Sequence, residues 1–245
     1  MAKIFDGRKL AQKIEAGLKI PGITPCLAVV VFKDDPAGQL YARLKAEAAQ
    51  RLGIKFIQSE DETIIGKWNR DDSIHGILIQ RPAYRGEKFE AHWQELVNKI
   101  APQKDVDGLK PDSAFTPATV KAVEIILAGI NIPPRGGMLV IGRGMIGKAL
   151  AKRLNAKSIS SKDKNLEVES RKADILITAC GRGNLIKTVK PGAIVIDVGW
   201  PKGDVDFDRV KPIAGVITPV PGGVGPVTVA CLLENLIEAV YNQLL

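Results

Sequence analysis

Apolar residues along the chain switch repeatedly between helical and strand-like spacing. Behind Asp6, which can cap a helix, Leu10, Ile14 and Leu18 recur at helical spacing and predict a helix through about Lys19. CLAVVVF (26–32) is a continuous apolar run, the pattern of a strand buried on both faces. Residues 36–52 read as a helix. KFIQS (55–59) and IHGILIQ (74–80) read as strands with a short helical or irregular stretch between them, and 86–100 as a helix. PQKDVDGLKP (102–111) is a connection punctuated by Pro and Gly, and a first domain of residues 1–112 is expected to end just behind it. The alternation then tightens. A helix is expected over 116–128 with Pro117 in its first turn, a strand in GMLVIG and a helix over 145–154. Short strands follow at 157–160, 174–178, 193–197 and 215–217. The last segment, about 226–243, is amphipathic, with Leu232, Leu236, Ile237 and Val240 on one face. Strands separated by helices imply parallel βαβ units, hence an α/β chain of two α/β domains.

Composition narrows the function classes. The 245 residues are 45% hydrophobic, ordinary for a globular protein, and no apolar run approaches the ~20 residues of a membrane span. The opening MAKIFDGRKL lacks the apolar core of a signal peptide, so a cytoplasmic protein without a membrane partner is expected. Cys26, Cys180 and Cys231 cannot build a disulfide framework, and with only His75 and His92 besides there is no zinc-ligand spacing; no metal is expected. The net charge of +8 is uneven: +2 over residues 1–112 and +6 over the remainder. Sparse aromatics and the lack of a dense Lys/Arg run argue against nucleic acid. A basic second half suits a small polyanion such as a dinucleotide phosphate.

That reading is sharpened by Gly142-Arg143-Gly144-Met145-Ile146-Gly147, a G-x-G-x-x-G that follows a predicted strand and opens a predicted helix. The first glycine permits a tight turn, the second lets backbone approach a pyrophosphate, and the third lets helix and strand pack closely. The helix N-terminus adds unpaired N–H groups and a positive dipole. The second domain is therefore expected to be a Rossmann-type doubly wound parallel sheet, 113–227. An NAD site would carry an acid at the end of the next strand. Here Ser160, Ser161 and Lys162 stand there, with Asp163 slightly late, and Arg143 lies in the glycine turn; NADP is expected.

The first half offers a second group. Tyr41 and Lys45 are four apart and share a helical face. Gln80 falls at the carboxyl end of a strand, where open α/β sheets bind ligands. Asp105 and Asp107 sit in a tight turn. Late in the chain, TPVPGGVGPVT (218–228) is a stiff Pro/Gly loop ahead of the last helix.

Together DPAGQLYARLK (35–45), IHGILIQRP (74–82), PQKDVDGLKP (102–111), GRGMIG (142–147), GAIVIDVG (192–199), GDVDF (203–207) and ITPVPGGVGPVT (217–228) resemble the tetrahydrofolate dehydrogenase/cyclohydrolase family. The resemblance implies a folate cleft between the two domains, a homodimer, and a last helix, about 228–245, packed back on the first domain. It implies oxidation of 5,10-methylenetetrahydrofolate with NADP and hydrolysis of the product to 10-formyltetrahydrofolate. By the same resemblance Tyr41 stacks on folate, Lys45 is the catalytic residue of the hydrolysis, Gln80 assists it, and Asp107 binds the pterin edge. The segment Gly142, Arg143, Gly144, Ile146 and Gly147 holds NADP with Ser161 and Lys162. Pro221, Gly222 and Gly223 serve the folate, and Gly223 and Thr228 the cofactor as well. Polyglutamylated folates would suit the basic surplus.

The chain departs from the family pattern at several places. Gly144 replaces a usual serine, Lys148 a usual proline, and Ser160-Ser161-Lys162 a usual C-H-S. Phe115-Thr116-Pro117 lacks the usual cysteine, and Arg81-Pro82-Ala83-Tyr84 replaces L-P-L-P. Two other readings are a dehydrogenase without the hydrolytic step and a non-catalytic NADP- or folate-binding module.

Overall fold

A computed structural model describes residues 2–82, 86–130 and 137–244 of the chain. Ala83 and Tyr84 of the departing Arg81–Tyr84 segment lie outside the described residues. Along the chain run β1 (Lys3–Ile4), α1 (Gly7–Gly17), β2 (Cys26–Val30), α2 (Pro36–Arg51), β3 (Lys55–Ser59), α3 (Ile65–Asn69), β4 (Gly76–Ile79) and α4 (Glu87–Asn98). Then follow α5 (Ala118–Ile130), β5 (Met138–Ile141), α6 (Met145–Arg153), β6 (Lys157–Ile159), α7 (Leu166–Ser170), β7 (Ile175–Thr178), β8 (Ile194–Asp197), α8 (Phe207–Val210), β9 (Val216–Ile217) and α9 (Val224–Leu244).

The chain divides into two compact units. One comprises Lys13–Ala118 and Val229–Leu245. Its sheet is parallel, in the order β3-β2-β4, with β2 central and buried at every position. That burial is why CLAVV carries no polar alternation. The side chain of Leu236, in α9, packs where a side chain on Gly76 of β4 would stand. Burying one leucine fully contributes roughly 1.5–3 kcal/mol. Asn235, its neighbour, donates to Val106 O at 2.9 Å and Thr116 O at 3.1 Å, tying the helix to the Asp107 turn and to the segment just ahead of α5.

The other unit comprises Met1–Gln12 and Thr119–Thr228. Its six strands are all parallel, in the order β1-β9-β8-β7-β5-β6. From β5 the chain steps out to β6 on one side and returns to β7 on the other, so the strand order reverses at β5. A crevice opens at the carboxyl ends of the strands at such a point. Leu139, Ile141, Leu176, Val195 and Ile217 form part of the buried core.

The observed elements differ from the sequence expectation in places. Asp6 does cap α1, its Oδ1 accepting from Lys9 N at 2.9 Å, but the helix stops at Gly17. The helix expected from Thr116 starts at Ala118, with Pro117 just ahead. The opening residues, expected in the first domain, pair β1 with β9 through Lys3–Val216 and Ile4–Ile217. A two-residue strand is too short to carry a period, and the same holds for α7 and α8. α9, 21 residues, is long and apolar enough to cross a membrane, contrary to the expectation that no segment would be. Yet 67% of its most apolar stretch is buried inside the protein, the pattern of a core helix.

Candidate active site

Pro36 fixes the first turn of α2, and the helix places Tyr41 and Lys45 one turn apart on one face. Gln80 follows β4 directly, its backbone N–H donating to Val30 O at 2.8 Å. That ladder bond presents the Gln80 side chain to α2. Lys45 Nζ donates to Gln80 Oε1 at 2.6 Å and lies 5.0 Å from the Tyr41 ring centroid. Lys45 is 5% exposed, an unusual position for a lysine that has no ion pair at contact distance among the described residues. Asp107 reaches the same group electrostatically from the Asp105–Gly108 turn, which follows α4. The backbone of that turn is fixed independently of the Asp107 side chain: Ala118 N donates to Asp107 O at 3.1 Å and Gly108 N to Asp105 O at 3.0 Å.

Burial sets the charges here. It pulls the Lys45 ammonium down to about 8, while the Asp107 carboxylate works in the opposite direction. Burial pushes Asp107 up to about 6; Lys45 lowers it and Asp105 raises it further. Tyr41 is pushed up to about 12, first by burial and then by Asp107, so its phenol stays protonated. An amine that is partly neutral near neutral pH, held by an amide and faced by an aromatic ring, can accept a proton beside a planar cation. All four residues expected in the first half therefore come together.

In the other unit, Gly142 ends β5 at φ +130°, and a Cβ there would stand 2.3 Å from Ala179 O. At Gly147 a Cβ would stand 2.2 Å from Gly142 O, so the third glycine lets α6 press on the turn. Gly144 is different: nothing lies within 4 Å of its Cβ position. The turn thus leaves open backbone at the N-terminus of the nine-residue α6, and the residues present fit a dinucleotide pyrophosphate. Arg143 is exposed beside it, and Ile146 is half-buried one turn into the helix. Ser161 and Lys162 follow β6, Lys162 exposed. The open space also makes Gly144→Ser compatible with the fold. We expect this variant to keep its melting temperature within about 2 °C and to lower the cofactor KM severalfold by adding one hydroxyl donor, as read by steady-state kinetics.

The expected loop residues lie between β9 and α9. Gly223 N donates to Pro219 O at 2.8 Å, closing a tight turn around Pro221 and Gly222. Gly7 N donates to Gly222 O at 3.1 Å, docking the start of α1 on this loop. Thr228 is buried, and its hydroxyl donates to Val224 O at 3.1 Å inside its own helix.

Comparison with known proteins decides the family. The catalytic-domain model of tetrahydrofolate dehydrogenase/cyclohydrolase matches residues 5–107, and the NAD(P)-binding-domain model of the same family matches residues 117–244. The chain belongs to the tetrahydrofolate dehydrogenase/cyclohydrolase family. Among its relatives is the bifunctional protein FolD of Methanoculleus marisnigri, 38% identical over 96% of this chain and 95% of that one. A crystal structure of the bifunctional FolD enzyme from Campylobacter jejuni is 35% identical over 99% of both chains, with a TM-score of 0.85. The NAD-dependent 5,10-methylenetetrahydrofolate dehydrogenase of Saccharomyces cerevisiae shares the fold, with a TM-score of 0.77 at 20% identity. The two family models meet the two units that carry the lysine cluster and the glycine turn, and the cofactor of the second is a nicotinamide dinucleotide.

Four further buried polar residues carry no role in the sequence reading. Asp35 is buried at the start of α2, its carboxylate filling the space beside Gly38 and facing the Gln80 stem. Asn235 lies inside an apolar helix face. Asp197 and Asp204 are buried at the end of β8 and in the loop behind it. The first had a signal in its place one residue ahead of Pro36; the others had none beyond the motifs that contain them.

Proposed function

We propose that this protein oxidises 5,10-methylenetetrahydrofolate to 5,10-methenyltetrahydrofolate with NADP and hydrolyses that product to 10-formyltetrahydrofolate. The single observation that carries the hydrolytic half is the buried Lys45 held 2.6 Å from Gln80. A dehydrogenase without that step needs no buried amine whose proton affinity burial has lowered.

A bound nicotinamide dinucleotide would supply the acceptor for the hydride that leaves the one-carbon bridge. Two nitrogens stabilise the resulting folate cation, so no general base is needed, and the protein's task is orientation and exclusion of water. Open backbone at Gly144 and the N-terminus of α6 would hold the dinucleotide's pyrophosphate. Asp107 accepts from the N–H pair of the pterin edge in a carboxylate fork. The Tyr41 ring face attracts the planar folate cation, worth about 0.5–2 kcal/mol.

Hydrolysis does need proton transfer. Water adds to the bridge carbon and gives up one proton to neutral Lys45; the remaining hydroxyl proton passes to the departing folate nitrogen as its C–N bond breaks and the formyl C=O forms. Gln80 accepts from Lys45 through Oε1 and donates to Arg81 O at 3.2 Å through Nε2, so the amide orients the amine rather than taking the proton itself.

The choice of NADP rests on the strand end after β6. Lys162 is exposed there, and Arg143 is exposed in the glycine turn. The late acid, Asp163, accepts from Asn165 N at 2.9 Å within its own turn, which engages one carboxylate oxygen locally instead of on a ribose diol. A coupled spectroscopic assay with methylenetetrahydrofolate is expected to give at least tenfold higher kcat/KM with NADP than with NAD. A preference for NAD would overturn the cofactor assignment and leave the folate chemistry standing.

A further inference from the structure

Two segments shared with the family, GAIVIDVG and GDVDF, have no part in the chemistry above. Their aspartates, Asp197 and Asp204, are both buried and lie in the nucleotide unit. Asp197 Oδ1 accepts from Thr178 Oγ1 at 3.1 Å, Gly199 N at 2.8 Å and Asp204 N at 3.0 Å, while Oδ2 accepts from Val205 N at 2.9 Å. Its backbone N–H donates to Thr218 Oγ1 at 2.8 Å, reaching the end of β9. Asp204 turns the other way. Its Oδ2 accepts from Cys180 N at 2.7 Å and its Oδ1 from Arg182 N at 2.6 Å. Two carboxylates thus stitch together the loops that follow β7, β8 and β9.

The place matters. Ala179, at the end of β7, is the residue whose carbonyl meets Gly142, so the Cys180–Arg182 loop borders the crevice where the strand order reverses. Cys180 Sγ also approaches Ile141 O at 3.2 Å. In a doubly wound sheet the two nucleotides lie on opposite sides of that reversal. Ser161 and Lys162 mark the β6 side, which leaves the β7–β8 side for the nicotinamide half. Backbone N–H groups that would point into the crevice or out of it are drawn instead onto a buried carboxylate, and this fixes the loop's path. Each such charged acceptor is worth more than a neutral one.

We infer that Asp204, propped by Asp197, is a positioning residue for the nicotinamide end of the dinucleotide site, acting through the backbone of Cys180–Arg182. The inference rests on the nicotinamide-binding reading of the glycine turn. It adds a residue that touches neither cofactor nor substrate and yet sets where the reacting ring lies.

The test compares wild type, Asp204→Asn and the milder Thr178→Val, which removes one donor to Asp197 at nearly constant volume. Asp204→Asn keeps one acceptor but puts an NH2 group against a backbone N–H, which pushes the loop away. Expected are a rise of about tenfold or more in KM for the full cofactor and a fall in dehydrogenase kcat. Thr178→Val should move both by about threefold in the same direction. Affinity for 2′-phospho-ADP-ribose, which lacks nicotinamide, and hydrolysis of methenyltetrahydrofolate should each stay within about twofold. Equal loss of affinity for the fragment and the full cofactor would overturn the inference by showing that the clamp merely holds the unit together. So would an unchanged cofactor KM in both variants. If Asp204→Asn fails to fold, the Thr178→Val pair of measurements decides alone. Failure of the wild type to bind the fragment would instead overturn the reading of the glycine turn.

Discussion

Lys45→Met is expected to lower the hydrolysis of methenyltetrahydrofolate by about 10²–10⁴-fold, the usual contribution of a positioned proton acceptor. Hydride transfer, which needs no base, should survive in part. Methionine fills the aliphatic path of the lysine stem but leaves Gln80 Oε1 without its donor and Asp107 without its cation. The pH profile supplies the sharper readout. Asp107, raised to about 6, must be ionised to accept from the pterin, and Lys45, lowered to about 8, must be neutral to take a proton. Both conditions are met better as pH rises, so wild-type cyclohydrolase kcat/KM should climb between about pH 6 and 8 and level off above. The two groups titrate as a pair, and the inflections belong to the pair. In Lys45→Met the upper inflection should vanish. Full cyclohydrolase turnover with an unaltered profile in that variant would remove Lys45 from the mechanism.

Asp107→Ala should damage both reactions together, because both need the folate. Loss of a two-point charged acceptor corresponds to an increase in folate KM of roughly tenfold to several hundredfold. The KM of the nicotinamide cofactor should stay within about twofold. The fold should tolerate the change, since the turn is held through the Asp107 carbonyl and by Asn235 at Val106 O, not through the carboxylate. The variant also removes the charge that raises the Lys45 proton affinity, so the remaining cyclohydrolase activity should reach its plateau at lower pH. Normal folate affinity in Asp107→Ala, measured by tryptophan fluorescence or calorimetry, would contradict the pterin assignment.

Much of this was legible in the residues alone. β2 and β4 announced themselves as unbroken apolar runs, and the glycine turn stood in the strand–turn–helix setting that gives it meaning. Tyr41, Lys45 and Gln80 stood out by their place on a helix face or at a strand end, Asp107 by its tight turn, and the family resemblance supplied their roles. What escaped was held by partners distant in sequence. Asn235 looks like an exception on an apolar stripe until Val106 and Thr116 are seen as its acceptors, more than a hundred residues away. Asp197 reads as the last residue of a strand, and only the fold shows that five groups converge on it. β1 could not be read at all, since two residues show no period and their pairing partner lies near the far end of the chain.

That pairing bears on how the polypeptide is made. β1 leaves the ribosome well ahead of its partner and must wait, edge exposed, until β9 emerges about two hundred residues later. The lysine-bearing sheet waits as well, for α9 to cover β4. Neither lobe can therefore be expressed as a simple amino- or carboxyl-terminal fragment. A gene cut near codon 112 would strand an unpaired edge on one product and leave the other without the strand that completes its sheet.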